Sequence, residues 1–448
     1  MKSGIKNLVF FNLGLDQNYD EFKLLQRLLP ARIPSSERLV LSQLDLGIYM
    51  ADRSSLVLGF QNPGKDFQNW LSSFGMETGH FMELKSNPYF VQDWLMEFEE
   101  KMRGSGLSIL SAQARFAGLS HLENELIEHY QLAKVEFTGV GVEFLKKVNS
   151  KLYLADLADQ LAWPFPRTQK VKTNDLLKAF SNWKGSFPLL IKYNHSSGGG
   201  GNFEFLSSKD TSFLKYILRQ KPLFDEGYWL IQEKLPVGLQ FSCLCHSQAQ
   251  PPLQSIFEVE YKESGYSYSH LTLKKELKDK YYPLLVSVAE KLADQLGEYS
   301  GPFGFDSLVT QDDRLFPIID LNVRWNKGHL IEKAFDKFGL DRGDIFSIRH
   351  RQQGRRFSSF SQLWRCIRQE LKLDNRGLTS SGDFFLPYIV SGIIDESTKP
   401  SSVSSTAPVE LTYFMGTTKG EEAYRNVWKN QVEKKLTALI GRGENQYG

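Results

Sequence analysis

The chain has 448 residues, 41% hydrophobic and 24% charged, which is long enough for two or three globular units with well-filled cores. Its 54 Lys and Arg against 52 Asp and Glu leave a formal charge of +2, which argues against a nucleic-acid or membrane-surface partner. Three cysteines make no disulfide framework, and no apolar run is long enough for a secretory signal or a membrane span. We therefore expect a cytoplasmic protein.

The first 141 residues have the pattern of an α/β unit. Asn7–Asn12 and Ser55–Phe60 are apolar and β-prone and are predicted to be strands, whereas Phe67–Phe74 has helical periodicity. Gly139 and Gly141 mark a plausible boundary at the end of this unit.

The next segment predicts an antiparallel sheet with helices on one side. Residues 142–161 have a helical pattern with Asn149-Ser150-Lys151 in its middle. Further helices are predicted at Leu176–Trp183 and Leu273–Leu296, and strands at Tyr228–Lys234, Gln240–Cys245 and Ser255–Tyr261.

A serine- and glycine-rich hairpin dominates the middle of the chain. Pro188–Lys192 is predicted to be a buried strand and Asn202–Leu206 its returning partner, with four consecutive glycines in the loop between them. Glycine backbone can press its N–H groups against an anion, and Lys192 adds a positive charge nearby, so a phosphate is the expected ligand. The alternative is a flexible tip that only closes the hairpin.

Oxygen-bearing side chains cluster in a second predicted hairpin, formed by Gly301–Val309 and Leu315–Val323. Asp320 and Asn322 are two residues apart and share a face of their strand, and Asp306 lies in the partner strand. Carboxylate and amide oxygens suit Mg²⁺, which leaves part of its shell to water and phosphate. Taken singly, the two aspartates are as easily a strand-end cap and a salt-bridge partner.

The last 90 or so residues predict a small α+β unit. Helices are expected at Phe360–Leu371 and Glu421–Leu439, and strands at Asp383–Ile394 and Val409–Gly416. A basic run precedes this unit, and its more favoured interpretation is a solvated helix end rather than a ligand site; it contains Arg349, Arg351, Arg355 and Arg356.

Four separated motifs, taken in order, resemble the ATP-grasp superfamily. They are Asn149-Ser150-Lys151, the strand Phe187–Lys192 with its glycine hairpin, Gln232-Glu233-Lys234-Leu235, and Asp306 with Asp320-Leu321-Asn322-Val323-Arg324. The resemblance covers about residues 142–332. It implies two α+β lobes that enclose ATP, preceded by an N-terminal α/β domain.

The resemblance also assigns candidate site residues. Lys151 and Lys192 would contact the α- and β-phosphates, and Glu233, Lys234 and Leu235 would present backbone groups to the adenine. The loop that would close over the β- and γ-phosphates comprises Ser196, Ser197, Gly198, Gly199, Gly200, Gly201 and Asn202. Asp306, Asp320 and Asn322 would hold Mg²⁺, and Arg324 would face the transferred phosphate or the acyl substrate.

The chain departs from many members of that superfamily at two positions. Gln240 stands where a glutamate commonly binds the ribose, and Asp320 stands where a glutamate commonly binds the metal. Glutamine still forms hydrogen bonds and the shorter aspartate remains a competent ligand, so neither change by itself rules out activity.

The N-terminal segment Asp45–Ala51, followed by the strand from Ser55, is similar to the pre-ATP-grasp domain of peptide ligases of the pheganomycin-biosynthesis type, which also have a small C-terminal domain. The implied architecture is α/β and α+β: a pre-ATP-grasp domain at 1–141, an ATP-grasp domain at 142–345 and a C-terminal α+β domain at 357–448.

The implied function is an ADP-forming carboxylate–amine ligase that uses ATP and Mg²⁺ and forms an amide through an acyl phosphate, with an amino acid or peptide as substrate. A carboxylate–thiol ligase or a kinase would need the same motifs, since these do not encode the acceptor site. A non-catalytic nucleotide-binding module is the alternative outside the enzymes.

Overall fold

The computed structural model describes most of the chain. The described residues are 4–10, 48, 51–59, 64–85, 96–98, 100–103, 108–116, 144, 147–194, 202–219, 227–261, 268–272, 275–326, 328–329, 332–333, 336, 345–352, 357–389, 409–416 and 422–441. Within these ranges no helix is both long enough and apolar enough to cross a membrane.

The N-terminal region forms a four-stranded parallel sheet with strand order β3-β2-β1-β4. Its strands are β1 (Gly4–Phe10), β2 (Ser55–Gly59), β3 (His80–Glu83) and β4 (Ser108–Phe116). All five residues of β2 are buried, as expected for a strand in a parallel sheet that is covered on both faces. Helix α1 (Lys65–Ser73) follows β2, so the predicted α/β unit is confirmed in this part.

A small antiparallel sheet, which we call the small lobe, contains the glycine hairpin. It has the order β5-β8-β6-β7 and consists of β5 (Thr168–Lys172), β6 (Leu189–Tyr193), β7 (Asn202–Phe205) and β8 (Tyr228–Glu233). Helices α3 (Leu176–Ser181) and α4 (Thr211–Arg219) supply Leu176, Phe180 and Leu214 to a core with Ile191 and Trp229. The predicted pairing of the two hairpin strands is confirmed, with Lys192 opposite Asn202.

The largest sheet has eight strands in the order β13-β12-β9-β10-β11-β14-β16-β15. Their bounds are β9 (Val237–His246), β10 (Leu253–Tyr261), β11 (Tyr268–Thr272), β12 (Pro302–Thr310), β13 (Leu315–Asn322), β14 (Ile345–Gln352), β15 (Phe384–Ile389) and β16 (Val409–Gly416). Helix α5 (Lys275–Leu296) buries Leu285 and Leu292 against one face of this sheet, together with α2 (Lys151–Gln160).

Helix α2 begins later than the sequence pattern predicts. Residues 142–161 are not one continuous helix, because the Ser150 hydroxyl accepts a hydrogen bond from the Tyr153 N–H and caps a helix that starts at Lys151. The predicted position of Lys151 in the middle of a helix is therefore wrong. The residue lies in the first turn, close to the strand ends described below.

The C-terminal segment shares a sheet and a core with the rest of the molecule. Strands β14, β15 and β16 continue the eight-stranded sheet, and helices α6 (Phe360–Leu371) and α7 (Glu422–Gly441) cover it. The Phe360 ring lies 4.9 Å from that of Phe67 on α1. The domain boundary expected near residue 357 remains a prediction, but the segment packs directly against the N-terminal unit.

The basic run is not a helix end where the structure describes it. Arg349 and Arg351 lie in β14, which pairs with β11 on one side and β16 on the other. Arg355 and Arg356 fall outside the described residues. The prediction failed because distant strands, rather than the local charge pattern, decide the conformation here.

Candidate active site

The predicted metal ligands lie together on two neighbouring strands. Asp306 on β12 is directly opposite Asp320 on β13, and Gly304 is opposite Asn322. On its other side Asp306 is opposite Ser242 of β9, whose hydroxyl donates a hydrogen bond to the Asp306 carboxylate. The three predicted oxygen ligands therefore occupy one corner of the large sheet, and Ser242 is a neighbour that the sequence did not reveal.

The charge of this corner is only partly offset by the protein. Burial and the adjacent Asp320 carboxylate raise the pKa of Asp306 from 3.8 to about 7, against the opposing effects of Ser242, Arg324 and Lys192. A cation between the two aspartates would relieve this repulsion, and two carboxylates with an amide oxygen are the donors that Mg²⁺ prefers. The predicted ligands are two aspartates and one asparagine. Consistent with this, no group of three His, Cys, Asp or Glu side chains that could hold a metal occurs among the described residues. The residues present fit magnesium.

Lys192 brings the small lobe to this corner. It is partly buried near the end of β6, and burial lowers its pKa from 10.5 to about 8, with Asp320, Lys151 and Asp306 also acting on it. Each of these three charges is therefore close enough to Lys192 to act on its pKa. The structure thus brings together both predicted phosphate-binding lysines and both predicted metal-binding aspartates.

Arg324 completes the cluster of charges. Its Nη2 donates a hydrogen bond to Oδ1 of Asn322 over 2.7 Å, and its charge also acts on Asp306. The guanidinium follows β13, the predicted metal-binding strand, so it can face an anion held near the two aspartates.

Lys151 is placed by hydrogen bonds that its two preceding residues form with the eight-stranded sheet and with the small lobe. Asn149 binds the backbone of Val323 at the end of β13, with its Oδ1 accepting the Val323 N–H at 2.8 Å. The Ser150 hydroxyl donates to Oδ1 of Asn194, just after β6, over 2.8 Å. Lys151 itself is only 8% exposed. Asn194 is a further residue that the sequence did not single out, although it lies two positions after Lys192.

The predicted adenine hinge uses two of its three backbone amides internally. The Glu233 N–H donates to the Arg167 carbonyl at 2.9 Å and the Lys234 N–H to the Pro188 carbonyl at 3.2 Å. For Leu235, no partner of its N–H is found among the described residues. If a base binds at this predicted hinge, the amide of Leu235 is the N–H among the three that is left for it.

An apolar surface adjoins this hinge. The Leu235 side chain packs with Leu308 and Phe316, and Leu308 is opposite Gln240 on β9. Gln240 and Ser242 share one face of β9, since they are two residues apart. The predicted ribose contact thus lies in the same row as the predicted metal site, between the hinge and Asp306.

The phosphate-closing loop cannot be placed in the same way. Ser196, Ser197 and Gly198–Gly201 fall outside the described residues, and only Asn202, at the start of β7, is described. The roles of these loop residues remain a prediction.

His329 and Asn326, just beyond Arg324, form a reciprocal pair. The Asn326 N–H donates to Nδ1 of His329, and the His329 N–H donates to Oδ1 of Asn326, at 3.3 and 3.2 Å. Nε2 of His329 then donates to the Cys245 carbonyl at 3.1 Å, and burial lowers the pKa of the imidazole to about 4. Both ring nitrogens are thus used within the fold, which makes His329 a structural residue.

Neither a protein-family model nor any curated protein matches the sequence. Among solved structures, N5-carboxyaminoimidazole synthase from Aspergillus clavatus, in complex with ADP and 5-aminoimidazole ribonucleotide, is similar at 11% identity, with a TM-score of 0.52 and coverage of 98% of this chain and 100% of that one. The phosphoribosylamine–glycine ligase of Thermotoga maritima is similar at 15% identity, with a TM-score of 0.52 and coverage of 88% and 94%. The chain has an ATP-grasp fold.

The ATP-grasp architecture extends well beyond the two central sheets. The A. clavatus structure matches 98% of the chain, so the N-terminal parallel sheet and the C-terminal strands are also part of the common arrangement. The fold class predicted from the four motifs is therefore confirmed.

Proposed function

We propose that the protein is an ADP-forming carboxylate–amine ligase that joins its substrates through an acyl phosphate. The observation that carries this proposal is the convergence of Lys192, Lys151 and Arg324 with the opposed pair Asp306 and Asp320. Three cations and two carboxylates that act on one another electrostatically suit a magnesium-bound triphosphate better than a structural ion-pair network, which would leave its charges paired.

The fold neighbours support the same reaction class. The T. maritima structure is of a phosphoribosylamine–glycine ligase, and another similar structure, a carboxyaminoimidazole ribonucleotide synthase from Aspergillus clavatus, contains ATP. The second matches at 10% identity with a TM-score of 0.50, over 97% of this chain and 99% of that one. We infer that the present chain also binds ATP between the hinge and the paired aspartates.

Each side chain has a role in the first chemical step. An oxygen of the substrate carboxylate attacks the γ-phosphorus, the bond to the ADP oxygen breaks, and an acyl phosphate forms. Lys192, Lys151 and Arg324 offset the negative charge that spreads over the phosphoryl oxygens. Asp306, Asp320 and Asn322 would hold Mg²⁺, which supplies further charge neutralisation at the phosphates.

The second step forms the amide. The amine nitrogen attacks the acyl carbon, loses a proton, and expels inorganic phosphate from the tetrahedral intermediate. We assign stabilisation of the oxyanion to Arg324, because it follows the end of β13 opposite to Phe316, which packs with Leu235 of the predicted hinge. Water must be excluded while the acyl phosphate exists, which is the role we propose for the loop at 196–202.

We further propose an amino acid or peptide as the substrate, on the similarity of residues 45–58 to peptide ligases of the pheganomycin-biosynthesis type. Transfer of the acyl group to a thiol, or phosphoryl transfer alone, would use the same charged cluster. A non-catalytic nucleotide-binding module is less favoured, because all three predicted metal ligands keep oxygen donors.

The test is ADP and phosphate release from ATP and Mg²⁺ in the presence of pooled amino acids and short peptides, with mass spectrometry of the products. The control is the double variant Asp320→Ala with Asn322→Ala. Substrate-dependent ADP release that the folded control lacks, together with a new amide mass, is the expected result. ADP release without an amide would favour the kinase or thiol alternatives, and equal release by the control would remove the metal-site assignment.

A further inference from the structure

Asn149 joins two parts of the active site that are far apart in the sequence. Its Oδ1 accepts the Val323 N–H at 2.8 Å, and its Nδ2 lies 3.5 Å from the Val323 carbonyl oxygen, across 174 positions of the chain. Val323 stands between Asn322 and Arg324, so these bonds hold the end of the metal-binding strand.

Ser150, the next residue, reaches the opposite side of the site. Its hydroxyl donates to Oδ1 of Asn194 at 2.8 Å, and the Leu152 N–H donates to the same oxygen at 3.0 Å. The Lys151 N–H donates to the Asn194 carbonyl at 3.3 Å. Asn194 follows β6 directly and is two residues from Lys192, so these bonds hold the end of the lysine strand.

Consecutive residues therefore bind the ends of two strands from different sheets, with Lys151 immediately after them. We propose that Asn149 and Ser150 are positioning residues that couple the phosphate-binding lysines to the metal-binding strand. This inference rests on the proposed function in one respect: the ligand it needs is a magnesium-bound nucleotide. We call the Asn149–Ser150 pair the brace.

The separation of the two strand ends decides whether one ligand can reach both. A nucleotide contacts the lysines and the metal ligands at the same time only if the separation of the two sets matches its phosphate chain. The brace fixes that separation before the ligand arrives, since it has hydrogen bonds to both strand ends. Without the brace, the lysines can still bind phosphate and the predicted metal ligands can still bind Mg²⁺, but binding of one no longer strengthens binding of the other.

The experiment measures the coupling between Mg²⁺ binding and nucleotide binding directly. Binding of AMP-PNP to the full chain is titrated by calorimetry with and without Mg²⁺, for the wild type and for Asn149→Ala. Mg²⁺ should raise the affinity of the wild type for AMP-PNP. In Asn149→Ala the metal-free affinity should stay within about twofold, while the enhancement by Mg²⁺ falls about tenfold, within the usual range of coupling between sites.

A second variant and a matched control separate positioning from helix capping. Ser150→Ala removes the bond to Asn194 and the N-cap of α2, whereas Ser359→Ala removes the N-cap of α6, which accepts the Gln362 N–H. Both variants should lose thermal stability, Ser150→Ala more than Ser359→Ala because it also removes the buried bond to Asn194. Only Ser150→Ala should lose the enhancement by Mg²⁺, and this variant also provides the test if Asn149→Ala does not fold.

Each outcome decides between the proposals. A wild-type enhancement that persists in both brace variants overturns the brace, as does a wild type whose affinity for AMP-PNP is unaffected by Mg²⁺. A wild type that shows the coupling but releases no ADP with any carboxylate overturns the ligase function and leaves the brace standing. A wild type that does not bind AMP-PNP overturns both.

Discussion

Asp306 lies directly opposite Asp320 across the β12–β13 pair, and the neighbouring Asp320 carboxylate helps to raise the pKa of Asp306. Their repulsion is a property of the metal-free protein, since a bound cation would offset it. This arrangement is unfavourable for folding and favourable for binding, as is common where a site is built for a charged ligand.

We expect Asp306→Asn to stabilise the metal-free protein at pH 8. The pKa of Asp306 is about 7 in the folded state and 3.8 in the reference state, so the wild type loses stability as the pH rises from about 4 to about 7. The variant lacks this loss, and its advantage should be at most about 4 kcal/mol, because one pKa unit equals about 1.4 kcal/mol. Thermal melts in EDTA from pH 4 to pH 8 measure the effect.

The same melts with Mg²⁺ provide the control for that prediction. Millimolar Mg²⁺ should raise the melting temperature of the wild type and have little effect on Asp306→Asn, since the cation stabilises only the form that binds it. An advantage of the variant that does not shrink at low pH would contradict the charge-repulsion argument.

Lys192→Met should strongly reduce turnover without destabilising the fold. Burial lowers the pKa of Lys192 from 10.5 to about 8, so the folded protein carries the penalty of a buried charge in full below pH 8 and loses it as the pH rises towards 10.5. Methionine removes the charge and keeps the apolar stem. We expect ADP release to fall about 100- to 1,000-fold, with an unchanged or higher melting temperature at pH 7.

The matched control for Lys192 is Lys215→Met, on the exposed side of α4. It should leave both ADP release and melting unchanged. A Lys192→Met protein with normal turnover would exclude a phosphate role for this lysine.

His329 should make the protein sensitive to mild acid. The pKa of the buried imidazole is about 4, against 6.5 in the reference state, so the unfolded chain takes up the proton first and stability is lost as the pH falls from about 6.5 to about 4. Protonation would also end the hydrogen bond from the Asn326 N–H.

His329→Gln is the variant that tests this. Its amide can still donate to the Cys245 carbonyl, yet it has no group that titrates in this range. We expect lower stability at pH 7, because packing is disturbed, and a smaller further loss between pH 6.5 and pH 4. Urea unfolding at several pH values measures both, and an unaltered pH dependence would show that other groups dominate.

Two substitutions in the predicted hinge test which of its side chains contribute to ATP binding and which residue contributes only through its backbone. Lys234 forms an exposed ion pair with Glu204 at 2.6 Å, and such pairs contribute about 0 to 1 kcal/mol to stability. Leu235 is buried beside Leu308 and Phe316, next to the row that contains Gln240. We therefore expect Lys234→Ala to change the KM for ATP less than about threefold and Leu235→Ala to raise it about tenfold.

That comparison requires both hinge variants to be folded, because Leu235→Ala also removes buried apolar contacts worth about 2 to 5 kcal/mol. Melting curves with saturating ATP identify the folded fraction. Equal KM values for the two variants would argue that the adenine binds elsewhere.

Local sequence determined those elements of the fold that are defined by apolar periodicity and flanking turns among neighbouring residues. The hairpin strands β6 and β7, the strands β12 and β13, and helix α6 were predicted close to their observed bounds, because apolar periodicity and flanking turns define them. Alternation along a strand likewise placed Asp320 and Asn322 on one face, with Asp306 in the partner strand. Lys192 was joined to them by the order of the motifs and the resemblance to the ATP-grasp superfamily.

Tertiary structure decided what depends on partners far along the chain. Strand β14 exists through pairing with β11 and β16, and its basic residues locally indicated a helix end. Ser242 lies beside the predicted metal ligand Asp306 only because β9 is next to β12. Asn149 meets Val323 across 174 positions, a contact that no local pattern contains. The residue types and their order were thus in the sequence, whereas the distances between them were set by sheet order and by side chains that bind the backbone of distant strands.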